Sequence, residues 1–449
     1  MTDPTDQAAG VVDSPELHAP MSVLGATFLG VGAMVGAGIF ALLGQAAAVA
    51  GSAVWISFLI AAFIALLQGY SFVKLGVRYP SDGGSIEFLV RGYGKGHMTG
   101  ISSWIMYFSG IIVTAMVCVS FGSYLGSLVF GDDVSGLTVA LLASMLMIVV
   151  AVVNLAGAET VNKAQTLIVG ILLVILTGFA FITLLNIEPS LLSPSGFPPG
   201  GDIVGSVALT FFAYLGFGVV AFSAGDIPDP ERNLPKAMYL SIGIATVVYV
   251  AIALGVLGTL PTEEVIANGD TALAVAAEPT LGQLGFTIMA IAALLATASS
   301  ANANTYAAGG VTSLLGRMGL FPPVFGKVRA GGGVQGIVIS AVLVLIVIWL
   351  LDLTAIASLG SAVALIFFTT ISIAHIRLRH ETGARLWLLL AGLVATLAAL
   401  VAFATTTLAT EPAALSALAT TILLAVGLDL LWTRLRNRRA ETPGSRTAT

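Results

Sequence analysis

Twelve apolar runs follow one another along this chain, each long enough to cross about 30 Å of hydrocarbon. They fall roughly at 21–48, 52–77, 99–130, 137–156, 163–186, 203–225, 235–258, 282–315, 335–351, 353–376, 386–409 and 413–433. No Asp, Glu, Lys, Arg or His sits near the middle of any of them. Asp226, His375 and Asp429 all lie near one end of their runs. Of the 449 residues 57% are hydrophobic and 9% are charged, against about a quarter charged in a soluble domain. So few charged side chains cannot clothe this much apolar mass in a water-facing surface, so the chain is solvated by lipid. The expected fold is an all-α membrane protein with twelve transmembrane helices.

Lys and Arg fix the expected orientation. With the N-terminus inside, all 18 basic residues fall on inner connections or on the C-terminal tail: Lys74, Arg78, Arg91, Lys95, Lys163, Arg232, Lys236, Arg317, Lys327, Arg329, Arg377, Arg379, Arg385, Arg434, Arg436, Arg438, Arg439 and Arg446. The outer connections hold only acids, among them Asp132, Asp133, Glu188, Asp202, Glu263, Glu264, Asp270, Glu278, Asp352 and Glu411. Both termini are therefore expected in the cytoplasm. The first twenty residues have no basic n-region and do not read as a cleaved signal peptide. One cysteine, Cys118, makes neither an internal bridge nor a cysteine metal site. The bare bilayer centre argues against a side-chain proton relay and a voltage sensor, because a charge there costs about 2.5–3.5 kcal/mol on insertion scales. It argues equally against a membrane hydrolase. No nucleotide-binding loop, metal cluster or catalytic triad is visible, so the chain reads as a non-enzyme.

Two runs are unusual for straight helices. The first contains Gly30, Gly32, Gly36 and Gly38 within nine residues, and each Gly costs about 1 kcal/mol against Ala. The plain alternative is close helix packing of the small-xxx-small kind. The sixth run answers it with Gly216 and Gly218 after Phe211-Phe212-Ala213-Tyr214-Leu215. Runs one and six are the positions that two five-span halves place in correspondence. An odd span number per half inverts the second half. Paired Gly interruptions in inverted halves point to a binding site at the bilayer midplane. There, freed N–H groups meet an anion and freed C=O groups a cation.

The same residues carry a resemblance. Gly32-Ala-Met-Val-Gly36-Ala-Gly38-Ile-Phe40 resembles the first-helix signature of the amino acid–polyamine–organocation (APC) permeases. Pro80-Ser-Asp-Gly83-Gly84, Phe211 to Phe217, Asp226 to Pro235 and Arg317 to Pro322 are similar to four further motifs of that family, in order over about 21–380. The resemblance implies a 5+5 inverted repeat of the bacterial leucine-transporter type with broken helices 1 and 6. The implied division is an N-terminal tail (1–20), a first repeat (21–186), an outer loop (187–202), a second repeat (203–380), two added helices (381–435) and a basic tail (436–449). It implies amino acid transport by alternating access.

Residue by residue, the resemblance places the substrate carboxylate on the amides of Gly36, Ala37 and Gly38. The ammonium falls near the carbonyls of Met34, Phe212 and Leu215. Phe212 matches an aromatic gate, and Asp226 an inner gate that could pair with Lys74, Arg78 or Arg91. Some proton-coupled members have Lys in the fifth span, near Leu172 here, or Glu at Gly218. Both are absent. Ala296-Thr-Ala-Ser299-Ser300 resembles the sodium site of related transporters, with Gly32 and Val35 supplying the matching carbonyls. Sodium is the favoured coupling ion and a proton the second choice, with exchange or uniport as further readings. The plain alternative is that these hydroxyls bond their own helix. No other metal and no cofactor are expected.

The implied cargo is a small, neutral amino acid, because no acid falls near Phe212 to Gly218. An inorganic cation or organic amine carrier of the same superfamily is the alternative. A major-facilitator carrier would need a long basic loop near residue 190, where the chain is acidic and Pro/Gly-rich. The implied partners are the solute and the lipid bilayer, with no nucleic acid; the sequence carries no signal for an oligomeric state. Compact loops and Ala/Gly richness suggest a prokaryotic plasma membrane. Glu87 is expected on a half-buried inner helix over 85–92, Tyr107, Asn302 and Asn304 in helix packing, and His375 at the inner surface.

Overall fold

A computed structural model describes residues 21–80, 84–131, 134–156, 161–327 and 335–441. The two tails, residues 81–83 of the Pro80–Gly84 motif, Asp132, Asp133 and Arg329 lie outside the described residues. So do the side chains of Ala37 and Lys163.

Every regular element described is helical. The first two, α1 (Val23–Ala37) and α2 (Ile39–Ala50), meet at Gly38. Then come α3 (Val54–Arg78), α4 (Ser85–Tyr93), α5 (His97–Phe130), α6 (Gly136–Leu155) and α7 (Val161–Leu185). A second broken pair follows, α8 (Gly200–Phe212) and α9 (Phe217–Phe222). After them run α10 (Pro230–Thr259), the short α11 (Thr262–Ala267) and α12 (Ala272–Val275), α13 (Glu278–Arg317) and α14 (Gln335–Leu350). The last are α15 (Leu353–Arg377), α16 (Arg379–Thr382), α17 (Leu386–Thr406) and α18 (Pro412–Glu441). Glycines in left-handed or extended conformations close several of them, Gly94 after α4 (φ 74°) and Gly131 after α5 (φ 77°).

Among the described residues, nine helical stretches are long and apolar enough to cross a membrane, with α2 and α3 counted as one. They become ten when the α8–α9 pair is taken as a single bent span. α14 and the first half of the α1–α2 pair are apolar but shorter. Burial separates the centre of the bundle from its rim: 78% of the apolar window of α15 and 72% of that of α5 is buried, against 22% for α18 and 28% for α6 and α17. Large apolar side chains such as Val174, Leu350 and Leu423 stand mostly exposed on the outside. Water would not tolerate such a surface; hydrocarbon accepts it. This is a multi-pass membrane protein.

Charges sort by end. At the basic end, Tyr79 Oη donates to Glu381 (2.6 Å), Arg377 reaches the Gly92 carbonyl (3.5 Å), and Trp432 Nε1 donates to the Gly319 carbonyl (2.9 Å). The start of the described chain is tied there too, Met21 N–H donating to the Asp226 carbonyl (2.9 Å). The opposite end carries the acidic loops, where Asp270 meets Gln45 and Ser123.

One sequence reading is corrected at the basic end. His375 is not a surface residue but fully buried, its Nε2 3.1 Å from Thr382 Oγ1. Gln68, without a motif, is a buried junction: its Nε2 donates to Ser372 Oγ (3.0 Å) and Thr396 Oγ1 (2.7 Å), binding α3 to α15 and α17.

Candidate functional site

The two interrupted spans touch at their interruptions. A Cβ built on Gly216 would collide with the backbone at Ala33 and Met34, and one on Gly38 would lie 2.8 Å from Ala213 Cβ. The sixth span bends by 43° between Gly200–Phe212 and Phe217–Gly225. Its residues 213–219 turn by tight i→i−3 bonds: Leu215 N–H to the Phe212 carbonyl (3.3 Å), Gly218 N–H to the Leu215 carbonyl (3.1 Å). The first span is interrupted at a single residue. Gly38 (φ −84°, ψ −71°) keeps a bond from its N–H to the Met34 carbonyl (2.8 Å).

Of the residues cast for substrate, Met34 and Gly38 lie against the sixth span at Gly216 and Ala213, whereas Gly36 faces α13 and the Phe212 ring faces Gly360. The carbonyls of Met34, Phe212 and Leu215 each accept one backbone N–H. A carbonyl has two lone pairs, so each keeps one beyond its backbone bond. Met34 is fully buried and Phe212 nearly so. The Phe212 ring fills the space that a side chain at Gly360 would take, between α15 and Ile112 of α5. Ala37 sits in the last turn of α1.

Glycines in the first span are also contact faces, and each meets a different neighbour. Gly30 faces Val220 and Ser241, Gly32 faces Val169 of α7, Gly36 faces α13, and Gly38 faces the Tyr249 hydroxyl, which donates to the Ala213 carbonyl (3.1 Å). Only Gly38 lies at the interruption; Gly30, Gly32 and Gly36 are packing positions inside α1.

On the far side of α1 lies the Ser pair. A Cβ on Gly36 would come 3.0 Å from the Ala296 carbonyl oxygen and 3.1 Å from Ser300 Cβ. Ser300 is buried and its Oγ accepts from Asn304 Nδ2 (3.3 Å). Ser299 is half-buried and Val35 buried. Thr297 bonds its own helix at the Ala293 carbonyl (2.6 Å), as membrane hydroxyls commonly do.

Other candidates sit elsewhere. Asp226 is exposed, and among the described residues its side chain makes no ion pair. Its proposed partner Arg91 pairs with Glu87 instead (2.6 Å), and Arg78 lies over the Tyr79 ring. Tyr107 Oη meets Ser340 (2.9 Å) in a ring cluster with Trp104, Phe321 and Phe325. Asn302 accepts from Asn154 (2.9 Å), joining α13 to α6.

Sequence reading missed a polar cavity of about 470 Å³ at the acidic end, lined by Gln45, Ser123, Asp270 and Thr354 among others. It also missed the pair of His97 with the buried Asp429 of α18 (2.6 Å). Asp270 was one loop acid among ten; only folding shows that it turns inward.

A first span with a one-residue turn at Gly38, where the i→i−4 bonds run on, lies on a sixth span that bends by 43°; one further observation joins it: the family model for amino acid permeases matches residues 21–428. The chain belongs to the amino acid permease family. Family membership makes it a membrane transporter of amino acids or related organic solutes, multi-pass and resident in the plasma membrane. The permease is 34% identical to the inner membrane transport protein YbaT of Escherichia coli, over 86% of this chain and 89% of that one. It is 25% identical to the methylthioribose transporter of Bacillus subtilis, over 84% and 85%. It is 27% identical to the branched-chain amino acid permease BcaP of the same organism, over 57% and 58%.

Proposed function

We propose that this permease carries small neutral amino acids across the membrane by alternating access, coupled to sodium. The observation that carries the reading is the contact between the two interruptions, Gly38 against Ala213 and Gly216 against Ala33 and Met34. A zwitterion is held there by main-chain groups alone: the amides of Gly36, Ala37 and Gly38 toward the carboxylate, once the Gly38 N–H leaves the Met34 carbonyl to which it is bonded in this structure (2.8 Å), and the carbonyls of Met34, Phe212 and Leu215 toward the ammonium. Such a site needs no charged side chain, in keeping with the uncharged middle of the spans.

Counting α1 with α2, and α8 with α9, as single broken spans and α3 as a separate one gives twelve crossings. They divide into a 5+5 inverted repeat over 21–186 and 203–380, two further helices over 381–435, and cytoplasmic tails. Phe212 gates the site from within the sixth span, and Asp226 marks its cytoplasmic mouth. Sodium sits between Gly32 and Val35 of α1 and Ala296, Ser299 and Ser300 of α13, where oxygen ligands without formal charge suit a hard monovalent cation. The closeness of Gly36 to Ala296 and Ser300 supports it. The relative named as a branched-chain permease supports an apolar cargo.

The test is uptake of a labelled amino acid pool into proteoliposomes, in Na⁺ and then in choline. Neutral amino acids should enter, faster in Na⁺, and Ser300→Ala should remove the Na⁺ advantage. Failure of every amino acid to enter refutes the cargo; an advantage that survives Ser300→Ala refutes the ion site.

A further inference from the structure

At the acidic end the loop between α11 and α12 dips into the bundle. Gly44 of α2 lets it in: a Cβ there would collide with the backbone of Gly269. The next loop residue, Asp270, is thereby brought between α2 and α5. Gln45 Nε2 donates to its Oδ1 (3.2 Å) and Ser123 Oγ to its Oδ2 (3.2 Å). Thr354 Oγ1 of α15 donates to Gln45 Oε1 (2.7 Å) and holds that amide in place. These residues line the cavity of about 470 Å³, a volume that suits a small organic molecule.

The carboxylate lacks a countercharge. Among the described residues Asp270 has no ion-pair partner, and its two bonds come from neutral donors at long distance. Burial pushes its carboxyl above the ordinary range, Ser123 opposes this, and the charge of Asp352 adds to it. Asp352 itself is engaged, capping α15 through Ala355 N–H (2.8 Å). A carboxylate accepts about four hydrogen bonds, so about two positions stay open toward the cavity. A half-buried anion with open positions and no cation is the chemistry of a cation receptor.

The cavity also lies above the broken spans. Gln45 is seven residues beyond Gly38, about 10 Å along α2 at 1.5 Å per residue. Buried Phe40 and Tyr124 lie between, ring against ring at 6.0 Å, with Tyr124 Oη toward the Phe40 carbonyl.

We propose that this cavity is an outer docking site for the ammonium group of the solute, with Asp270 as its counter-ion. It rests on the transport reading for what travels onward; the docking itself can be tested alone.

Ala267 lines the cavity and is exposed. In a Cys118→Ser background, Ala267→Cys is labelled in intact cells with a membrane-impermeant maleimide. The probes are n-butylammonium, butyrate and butanol. At twice its dissociation constant n-butylammonium should slow labelling about threefold, as 1 + [L]/Kd, while the other two leave it unchanged. Asp270→Asn should abolish the protection. So should Asn268→Lys, which plants an ammonium at the cavity wall and guards against misfolding of the first variant. Equal labelling with all three probes, protection that survives Asp270→Asn, or labelling only after permeabilisation overturns the proposal. Amino acid uptake in the same cells separates the two readings: uptake without protection removes the docking site alone, and protection without uptake removes the transport reading alone.

Discussion

Gly216→Ala should damage this permease where Gly218→Ala should not, although both glycines belong to one Gly-x-Gly pair. Gly216 has an ordinary helical conformation (φ −58°, ψ −18°), so alanine meets no backbone strain there. The obstacle is steric. Its Cβ would fall on the carbonyl carbon of Ala33 and the amide nitrogen of Met34, with Ala33 Cβ at 2.8 Å. Main chain cannot swing aside as a flexible side chain can, so α1 and the sixth span must part. Overpacking costs about 1–3 kcal/mol, and an obstacle made of backbone belongs at the upper end. About 3 kcal/mol is on the order of a hundredfold in an equilibrium constant. At Gly218 the nearest atom to an added Cβ is Phe72 Cε1 at 3.6 Å, an ordinary contact. Alanine there should be neutral or gain up to about 1 kcal/mol in helix propensity. The assay is the melting midpoint of each purified variant by fluorescence-detected size exclusion, with amino acid uptake beside it. The two variants should move in opposite directions, or the second not at all. Equal loss in both, or tolerance of both, would refute the claim that the sixth-span interruption rests directly on α1.

Three further outcomes follow from individual contacts. Gln68→Leu strips Ser372 and Thr396 of their shared partner; both hydroxyls keep a bond to their own helix, so the loss should be only about 1 kcal/mol, read as a lower melting midpoint with unchanged solute affinity. Gly100→Ala places a Cβ on Asp429 Oδ1 and should break its pair with His97 and loosen α18, seen as faster proteolysis beyond Trp432. Asp270 has a raised folded-state pKa, so the fold binds its proton more tightly than the unfolded chain does. Its contribution to stability is greatest while both states are protonated and falls as pH rises through the ordinary carboxylate value toward the raised one. Asp270→Asn should flatten that decline in melting midpoint between acid and neutral pH; an unchanged slope would show that the carboxyl is not the group responsible.

Much of the architecture was legible because lipid imposes a coarse rule on composition. Apolar runs and the one-sided placement of Lys and Arg lead directly to a helical bundle with a basic end, where Met21 and Arg436 both lie. The bend of the sixth span was legible because Gly is conspicuous where a helix should be smooth, whereas in the first span Gly30, Gly32 and Gly36 proved to be packing positions in unbroken helix. That difference was not legible, since a Gly at a break and a Gly at a helix contact look alike in one dimension. Gly38 does both, interrupting the first span while admitting Tyr249 and Ala213. His375 looked like a surface residue because its neighbours Arg377 and Arg379 are basic, yet the face it occupies on α15 is turned inward. Gln68 was unreadable because its partners are separated from it by about three hundred residues.

The placement of Asp270 follows from the same costs that keep the middle of the spans bare. At the bilayer centre a carboxylate would be expensive to insert and would hold a zwitterion by one end too firmly to release it. Near the acidic end, beside loops and open to the cavity, desolvation is partial, and Gln45 and Ser123 supply two hydrogen bonds. A solute that docks there through its ammonium has only to exchange one charged acceptor for several uncharged ones about 10 Å further along α2. In the proposed reading the carbonyls of Met34, Phe212 and Leu215, each of which accepts one backbone N–H, make that exchange. A strong, selective contact at the outside and a weaker, distributed one at the interruptions is the order in which a carrier can both capture its cargo and let it go.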